Sequence, residues 1–93
     1  MNAIVPNQPQ SFPSLLKQHQ AEIARALPRH INPDRMARIA LTEFRKNPKL
    51  GECDPRSVFA AIILASQLGL EPGILGQCYL IPYKAECQLI PGY

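Results

Sequence analysis

Positively charged side chains recur along one short segment in the middle of the chain. Arg35, Arg38 and Arg45 stand three and seven residues apart, which places them on one face of a helix. Lys46 and Lys49 continue the positive charge beyond the end of that helix. A row of guanidinium groups supplies both the charge and the forked donors that bind a phosphate backbone. The pattern is equally typical of a solvated helix face, so DNA binding and simple solvation both stay open.

Aromatic side chains alternate near the end of the sequence. Tyr79, Ile81 and Tyr83 occupy every second position, which puts them on one face of a strand, and Lys84 follows directly. Aromatic rings beside a cation hold single-stranded nucleic acid, because every base has a face that can stack. Tyrosines are also common in half-buried strands, where they only pack. The pattern predicts Tyr79, Tyr83 and Lys84 as DNA contacts, with strand packing as the alternative.

Residues suited to covalent chemistry or metal binding form no recognisable site. His19 and His30 have no further His or Cys at zinc-ligand spacing. The three cysteines are odd in number and form no CxxC motif, so we expect buried, reduced thiols. No Gly-rich phosphate loop ends in Lys-Ser or Lys-Thr. We therefore expect no catalytic residue, no cofactor and no metal.

Three helices are expected to position these side chains. The first runs from about residue 12 to residue 27, with its apolar residues in one narrow stripe. The second begins after Asn32, a good N-cap, and ends near Asn47 before a proline. The third lies between Asp54 as a cap and Gly69 as a left-handed C-terminal residue. Because it is apolar on almost every side, the third helix should be buried and organise the fold.

From residue 77 onward the hydrophobic pattern changes to strict alternation. Residues 77–83 and 86–90 are predicted to form the two strands of a hairpin, and Pro82 and Pro91 predict edge or bulged strands. The fold class is therefore α+β, with a disordered N-terminal tail over residues 1–11, three helices and a C-terminal β-hairpin. A lone two-stranded hairpin is marginally stable. We accordingly expect an incomplete domain that more chain or other subunits complete.

Length and composition exclude several classes of protein. The 93 residues are 46% hydrophobic, which fits one small folded domain or part of one. The net charge of +3 is compatible with a polyanionic partner. No apolar run approaches the roughly 20 residues that span a bilayer, and we expect no signal peptide and no membrane contact. Secreted, membrane-spanning and collagenous proteins are thereby excluded, as is a large enzyme with its own cofactor domain.

Four segments, taken in their order and spacing, resemble a known family. They are LPRHINPDRM, SQLGLEPG, YLIPY and QLIPGY, starting at Leu27, Ser66, Tyr79 and Gln88. This chain is similar to the N-terminal part of the RecT family of phage and prophage single-strand annealing proteins, which are distantly like the lambda Red beta protein. The resemblance runs over residues 27–93 and covers about the first third of a family member.

The resemblance implies that residues 12–93 are the N-terminal part of a RecT-like single-strand annealing domain. Such proteins bind single-stranded DNA and anneal complementary strands without ATP, in phage-type homologous recombination. The resemblance also implies a homo-oligomer in the form of a ring or filament, a partner exonuclease, and the cytoplasm of a bacterial host. It supplies no catalytic residue, because annealing makes and breaks no covalent bond. Two other interpretations stay open: a protein–protein self-assembly module and an inactive truncated fragment.

Overall fold

The computed structural model describes residues 11–73 and 76–92, which form an α+β fold and confirm the expected class. In chain order the elements are α1 (Phe12–Gln18), α2 (Gln20–Ala26), α3 (Pro33–Lys46), a 3₁₀ helix (Pro48–Glu52), α4 (Pro55–Leu68), β1 (Cys78–Tyr83) and β2 (Glu86–Pro91). The tail expected over residues 1–11 lies outside the described residues except at Ser11. That residue was wrongly assigned to the tail, because its hydroxyl accepts a hydrogen bond from the Ser14 backbone N–H at 3.3 Å and caps α1.

The first predicted helix is interrupted at His19. The backbone of His19 leaves the helical region, with φ −116° and ψ 28°, so two seven-residue helices replace one long helix. Side-chain contacts hold this residue in place: Nδ1 lies 3.1 Å from Glu22 Oε1, and the ring centroid lies 5.7 Å from that of Phe59. No glycine or proline marks the break, so the hydrophobic spacing alone predicted a continuous helix.

Helices α3 and α4 begin where their cap residues predict. The Asn32 side chain accepts hydrogen bonds from the N–H groups of Asp34 and Arg35, at 2.8 and 3.4 Å. The Asp54 side chain accepts from the Arg56 N–H at 2.9 Å. Gly69 ends α4 in the left-handed conformation at φ 71°, as predicted. These caps fix the start and the rotation of the two longest helices.

Helix α4 lies at the centre of the core. Val58 and Ile62 are fully buried, and the helix packs against α1, α2 and both strands. Its burial is not complete, because Leu64 and Leu68 on the outward face are 45% and 54% exposed. The 3₁₀ helix, which the sequence did not predict, adds the buried Leu50 to the same core.

Among the described residues, no helix has the length and hydrophobicity needed to cross a membrane.

The hairpin covers α4 with one of its faces. The strands pair antiparallel with Tyr83 opposite Glu86, around a two-residue turn in which Lys84 adopts a φ of 55°. Cys78, Leu80 and Cys87 point into the core. This arrangement leaves the opposite face of the hairpin to solvent.

The outer edges of the hairpin are largely blocked. On β1 the carbonyl of Cys78 accepts a hydrogen bond from Gly73 N–H at 3.0 Å, and Pro82 has no N–H to offer. On β2 the Cys87 N–H donates to the Ser57 hydroxyl at 2.9 Å, and Pro91 again lacks an N–H. The prolines thus lie in edge strands, as their chemistry predicts.

Candidate nucleic-acid interface

The predicted row of cations lies on the solvent side of α3. Met36, Ala37 and Ala40 face the core, which turns the opposite side of the helix outward. Arg35, Arg38, Thr42, Arg45 and Lys46 are all exposed, and Lys49 extends from the 3₁₀ helix that follows. The spacing therefore predicted the exposed face correctly, but the individual cations differ in their surroundings.

Arg35 at the N-terminal end of this row is already paired. Its Nε donates to Glu71 Oε2 at 2.7 Å and its Nη2 donates to Glu71 Oε1 at 3.2 Å. The two hydrogen bonds and the opposite charge lower the pKa of Glu71 and raise the pKa of Arg35. The carboxylate lies inside and the guanidinium outside, since their side chains are 14% and 57% exposed. The Arg35–Glu71 pair therefore has no net charge, and its positive end faces solvent.

The remaining cations of the row are less constrained. Lys46 Nζ lies 3.4 Å from Glu43 Oε2, a neighbour one turn earlier on the helix. Within residues 11–73 and 76–92, Arg38, Arg45 and Lys49 have no carboxylate within 4.0 Å. These three side chains provide the strongest uncompensated positive charge of the candidate interface.

A groove of about 460 Å³ runs alongside α3. The helix forms one wall with Arg35, Arg38, Ile39, Thr42 and Glu43, and Glu71 and Pro72 form the other wall. Of the two glutamates, Glu71 lies across the groove from the arginines, whereas Glu43 shares their wall. Arg35 is paired with Glu71 and Lys46 with Glu43, so among the described residues of the groove Arg38 keeps an uncompensated positive charge.

The segment after α4 connects this groove to the hairpin. The backbone N–H of Glu71 donates to Gln77 Oε1 at 2.7 Å, and the Gly73 N–H donates to the Cys78 carbonyl at the start of β1. Gly73 is favoured here because its φ is +111°, a conformation that other residues rarely adopt, and its Cα lies against the flexible end of the Glu43 side chain. The position of Glu71 in the groove is thereby tied to the start of β1.

The outward face of the hairpin carries the aromatic side chains. Tyr79 is 44% exposed and Tyr83 is 56% exposed, with Ile81 between them and Ile90 opposite Tyr79. At about 3.4 Å per residue, the two tyrosines are roughly 13–14 Å apart along the strand. Lys84 Nζ lies 5.4 Å from the centre of the Tyr83 ring, within reach of a cation–π contact. Tyr83 is the more exposed ring, whereas Tyr79 lies beside Gly76 and Gly92 and is partly packed.

The cysteines and histidines form no further site in the described part of the chain. All three cysteines are buried and unpaired, and burial raises the pKa of Cys78 and of Cys87 to about 11. No group of three His, Cys, Asp or Glu residues within residues 11–73 and 76–92 could hold a metal ion. Tyr93, part of the last resembling segment, lies outside the described residues.

Sequence reasoning missed the two glutamates of the groove. Glu71 is 36 positions from Arg35, and nothing in the local pattern couples the two residues. Glu71 lies in the SQLGLEPG segment, which indicated the family but did not predict an ion pair. Glu43 lies on α3 itself, but only the fold brings Gly73 against its carboxylate.

Comparison with known proteins finds a matching family and a matching relative, but no matching solved structure. A profile described as the RecT family matches residues 34–93. Protein RecT of Escherichia coli (strain K12) is 52% identical over 81 residues, which covers 77% of this chain and 30% of that protein. The chain thus spans less than a third of the length of this relative. No solved structure matches.

Proposed function

The chain belongs to the RecT family, and from this premise we propose that it binds single-stranded DNA and contributes to ATP-independent annealing of complementary strands. Membership of the family supports a role in recombination and annealing in general. The observation that carries the finer proposal is the solvent-exposed pair Tyr79 and Tyr83 beside Lys84. Such rings stack on bases without regard to sequence, which is what an annealing protein requires.

The cations along α3 are proposed to hold the DNA backbone. Arg38, Arg45 and Lys49 offer uncompensated charge. Lys46 is itself exposed and can exchange its partner Glu43 for a phosphate, and Arg35 joins them once its own carboxylate is displaced. Each phosphate neutralised on a single strand makes log K fall by about 0.7 per tenfold rise in salt. Three to four such contacts predict a slope of about −2 to −3.

The hairpin face is proposed to hold the bases. Tyr79 and Tyr83 each present a ring to solvent, and Lys84 follows them at the turn, where it can meet a base or the backbone. Stacking of a base on an aromatic ring contributes about 1–3 kcal/mol by alanine substitution. A duplex keeps its bases inside and cannot use this face, so single strands should bind more tightly.

Fluorescence anisotropy of a labelled oligonucleotide at several salt concentrations tests the proposal. The double substitution Arg38→Ala and Arg45→Ala should make the salt slope shallower by about 1.4. Arg25→Ala with Arg29→Ala is the matched control, because it removes the same charge from the end of α2 and its surroundings. Equal losses in both double variants would show that only net charge matters and would contradict the assigned face.

A second pair of variants separates stacking from charge. Replacing Tyr79 and Tyr83 with alanine should weaken binding about 5- to 150-fold for each ring removed, with the salt slope nearly unchanged. Replacement of both with phenylalanine keeps the rings and should keep the affinity. If the alanine variant binds as tightly as the native chain, the hairpin face does not hold bases.

A self-assembly module is the second candidate function. The observation in its favour is the apolar character of the hairpin face, where Ile81 and Ile90 are each 43% exposed among the tyrosines. Strand addition at the hairpin edges is disfavoured because Pro82, Pro91 and existing hydrogen bonds block them. Sedimentation that shows concentration-dependent size in high salt, without DNA, would favour assembly through the face.

The wider role follows from the family and is proposed on that ground alone. We expect a homo-oligomeric ring or filament on DNA, acting beside a partner exonuclease in phage-type recombination. No covalent step is proposed, so the chain acts as a binding protein rather than an enzyme. A folded chain that neither binds DNA nor assembles would instead fit an inactive fragment.

A further inference from the structure

Arg35 and Glu71 form a contact that copies the way an arginine binds phosphate. The guanidinium donates through Nε and Nη2 to the two carboxylate oxygens at 2.7 and 3.2 Å. Arginine uses the same two-point geometry for carboxylates and for phosphates. We propose that the groove beside α3 is a phosphate subsite whose occupant in the free protein is the carboxylate of Glu71, and that a DNA backbone phosphate displaces it. This inference rests on the proposed function and deepens it.

The surroundings of the pair make such an exchange feasible. Arg35 is 57% exposed, so a phosphate can reach the guanidinium from solvent while Glu71 lies on the inner side. Solvent screens the Arg35 side of the pair, whereas Glu71 is only 14% exposed and must turn toward solvent when a phosphate replaces it. Arg38 lines the same groove and has no carboxylate partner among the described residues, so it can share the incoming phosphate.

The exchange would also reach the hairpin. Glu71 is anchored through its backbone N–H to Gln77, and the neighbouring Gly73 is bonded to Cys78 at the start of β1. Release of the Glu71 side chain removes one of the contacts between this segment and α3. Phosphate binding in the groove is thereby linked to the strand that carries Tyr79 and Tyr83.

A double-mutant cycle on single-stranded DNA binding tests the proposal. Glu71→Gln keeps the size and one acceptor oxygen of the side chain but removes the competing charge. We expect E71Q to bind an oligonucleotide more tightly and with a slope steeper by about 0.7, so that its gain is about 2.5-fold larger at 50 mM than at 200 mM salt. The gain must vanish in the Arg35→Ala background, because the freed arginine is its cause. Glu22→Gln on α2 is the charge-matched control and should give no comparable gain.

Each outcome of this cycle decides the proposal. If E71Q binds no more tightly than the native chain, or if its gain persists with Arg35→Ala, the exchange is refuted. Melting temperatures of the variants show whether a loss of binding comes from unfolding. If Arg35→Ala unfolds the chain, Arg35→Lys serves as the second background, because it keeps the charge but not the two-point guanidinium geometry. If the native chain binds DNA but E71Q binds no more tightly, the exchange alone fails. If the native chain shows no DNA binding, the proposed function fails and the exchange fails with it, whether or not E71Q binds.

A comparison with inorganic phosphate shows whether the groove binds a DNA backbone phosphate or a free phosphate ion. The Nε–H resonance of Arg35 reports its hydrogen bond to Glu71 and should move when an oligonucleotide is added. Millimolar inorganic phosphate alone should move it far less, because a free anion lacks the neighbouring contacts of a strand. A response to inorganic phosphate but not to the oligonucleotide would assign the groove to the free anion and overturn the proposal.

Discussion

The central place of α4 predicts a large and position-specific loss of stability when Ile62 is truncated. Ile62 is fully buried in the core cluster, whereas Leu64, two residues later on the same helix, is 45% exposed. Truncation of Ile62 to alanine removes three buried carbon groups, or about 2.4 kcal/mol of transfer free energy at ~0.8 kcal/mol each. The cavity left behind adds to this, for a total of about 2–5 kcal/mol.

That loss is large compared with the stability of a domain of this size. At ~0.05–0.15 kcal/mol per residue, 93 residues would give about 5–14 kcal/mol. Urea denaturation followed by circular dichroism would measure the free energy of unfolding of each variant. Ile62→Val should cost about 0.5–1.5 kcal/mol, and Leu64→Ala should cost about 1.2 kcal/mol, half of the ~2.4 kcal/mol for three carbon groups, since about half of that side chain is already in water.

The comparison between the two alanine variants is the decisive one. Both remove an aliphatic side chain from the same helix, and alanine is a good helix former in each case. If Ile62→Ala and Leu64→Ala lose the same free energy of unfolding, then Ile62 is not at the centre of the core. A folded and cooperative Ile62→Ala variant with unchanged stability would refute the packing described for α4.

Three further predictions concern the surroundings of the interface. Gly73→Ala should cost about 1–3 kcal/mol, because its φ of +111° opposes a Cβ; Gly51→Ala, whose Cβ would meet Phe44 Cζ at an ordinary 3.9 Å, should be far milder. Ser57→Ala should lose about 1–3 kcal/mol by leaving the Cys87 N–H unpaired, and an unchanged unfolding midpoint would contradict this hydrogen bond. The buried thiols have raised pKa values and should react with iodoacetamide at pH 8 only as fast as the chain opens, so that immediate labelling of the native chain would contradict their burial.

The fold was largely predictable because its helix boundaries follow from local chemistry. Asn32 and Asp54 before prolines mark two helix starts, and Gly69 marks an end, since each residue satisfies a backbone requirement at its own position. The break at His19 was not predictable. At the break His19 contacts Glu22 and Phe59, and neither contact leaves a sign in the hydrophobic spacing.

The candidate site was predictable only in part. Periodicity of 3.6 and of 2 correctly placed the α3 cations on one helix face and the hairpin tyrosines on one strand face, because shared faces follow from secondary structure alone. The exposure of both faces comes from the fold. The pairing of Arg35 with Glu71 depends on how the segment after α4 folds back over α3. Charge compensation of this kind is set by tertiary structure, so the sequence indicated more free positive charge than the fold presents.

Photo-cross-linking is the most direct measurement of where a single strand lies on this chain. An oligonucleotide that carries 5-bromodeoxyuridine, irradiated with the folded protein at low salt, would mark the side chains that touch its bases. The hairpin assignment predicts cross-links at Tyr79 and Tyr83 that disappear when salt or unlabelled single strand is added, but not when duplex is added. Cross-links confined to Phe59, or none at saturating protein, would contradict single-strand binding on the hairpin face.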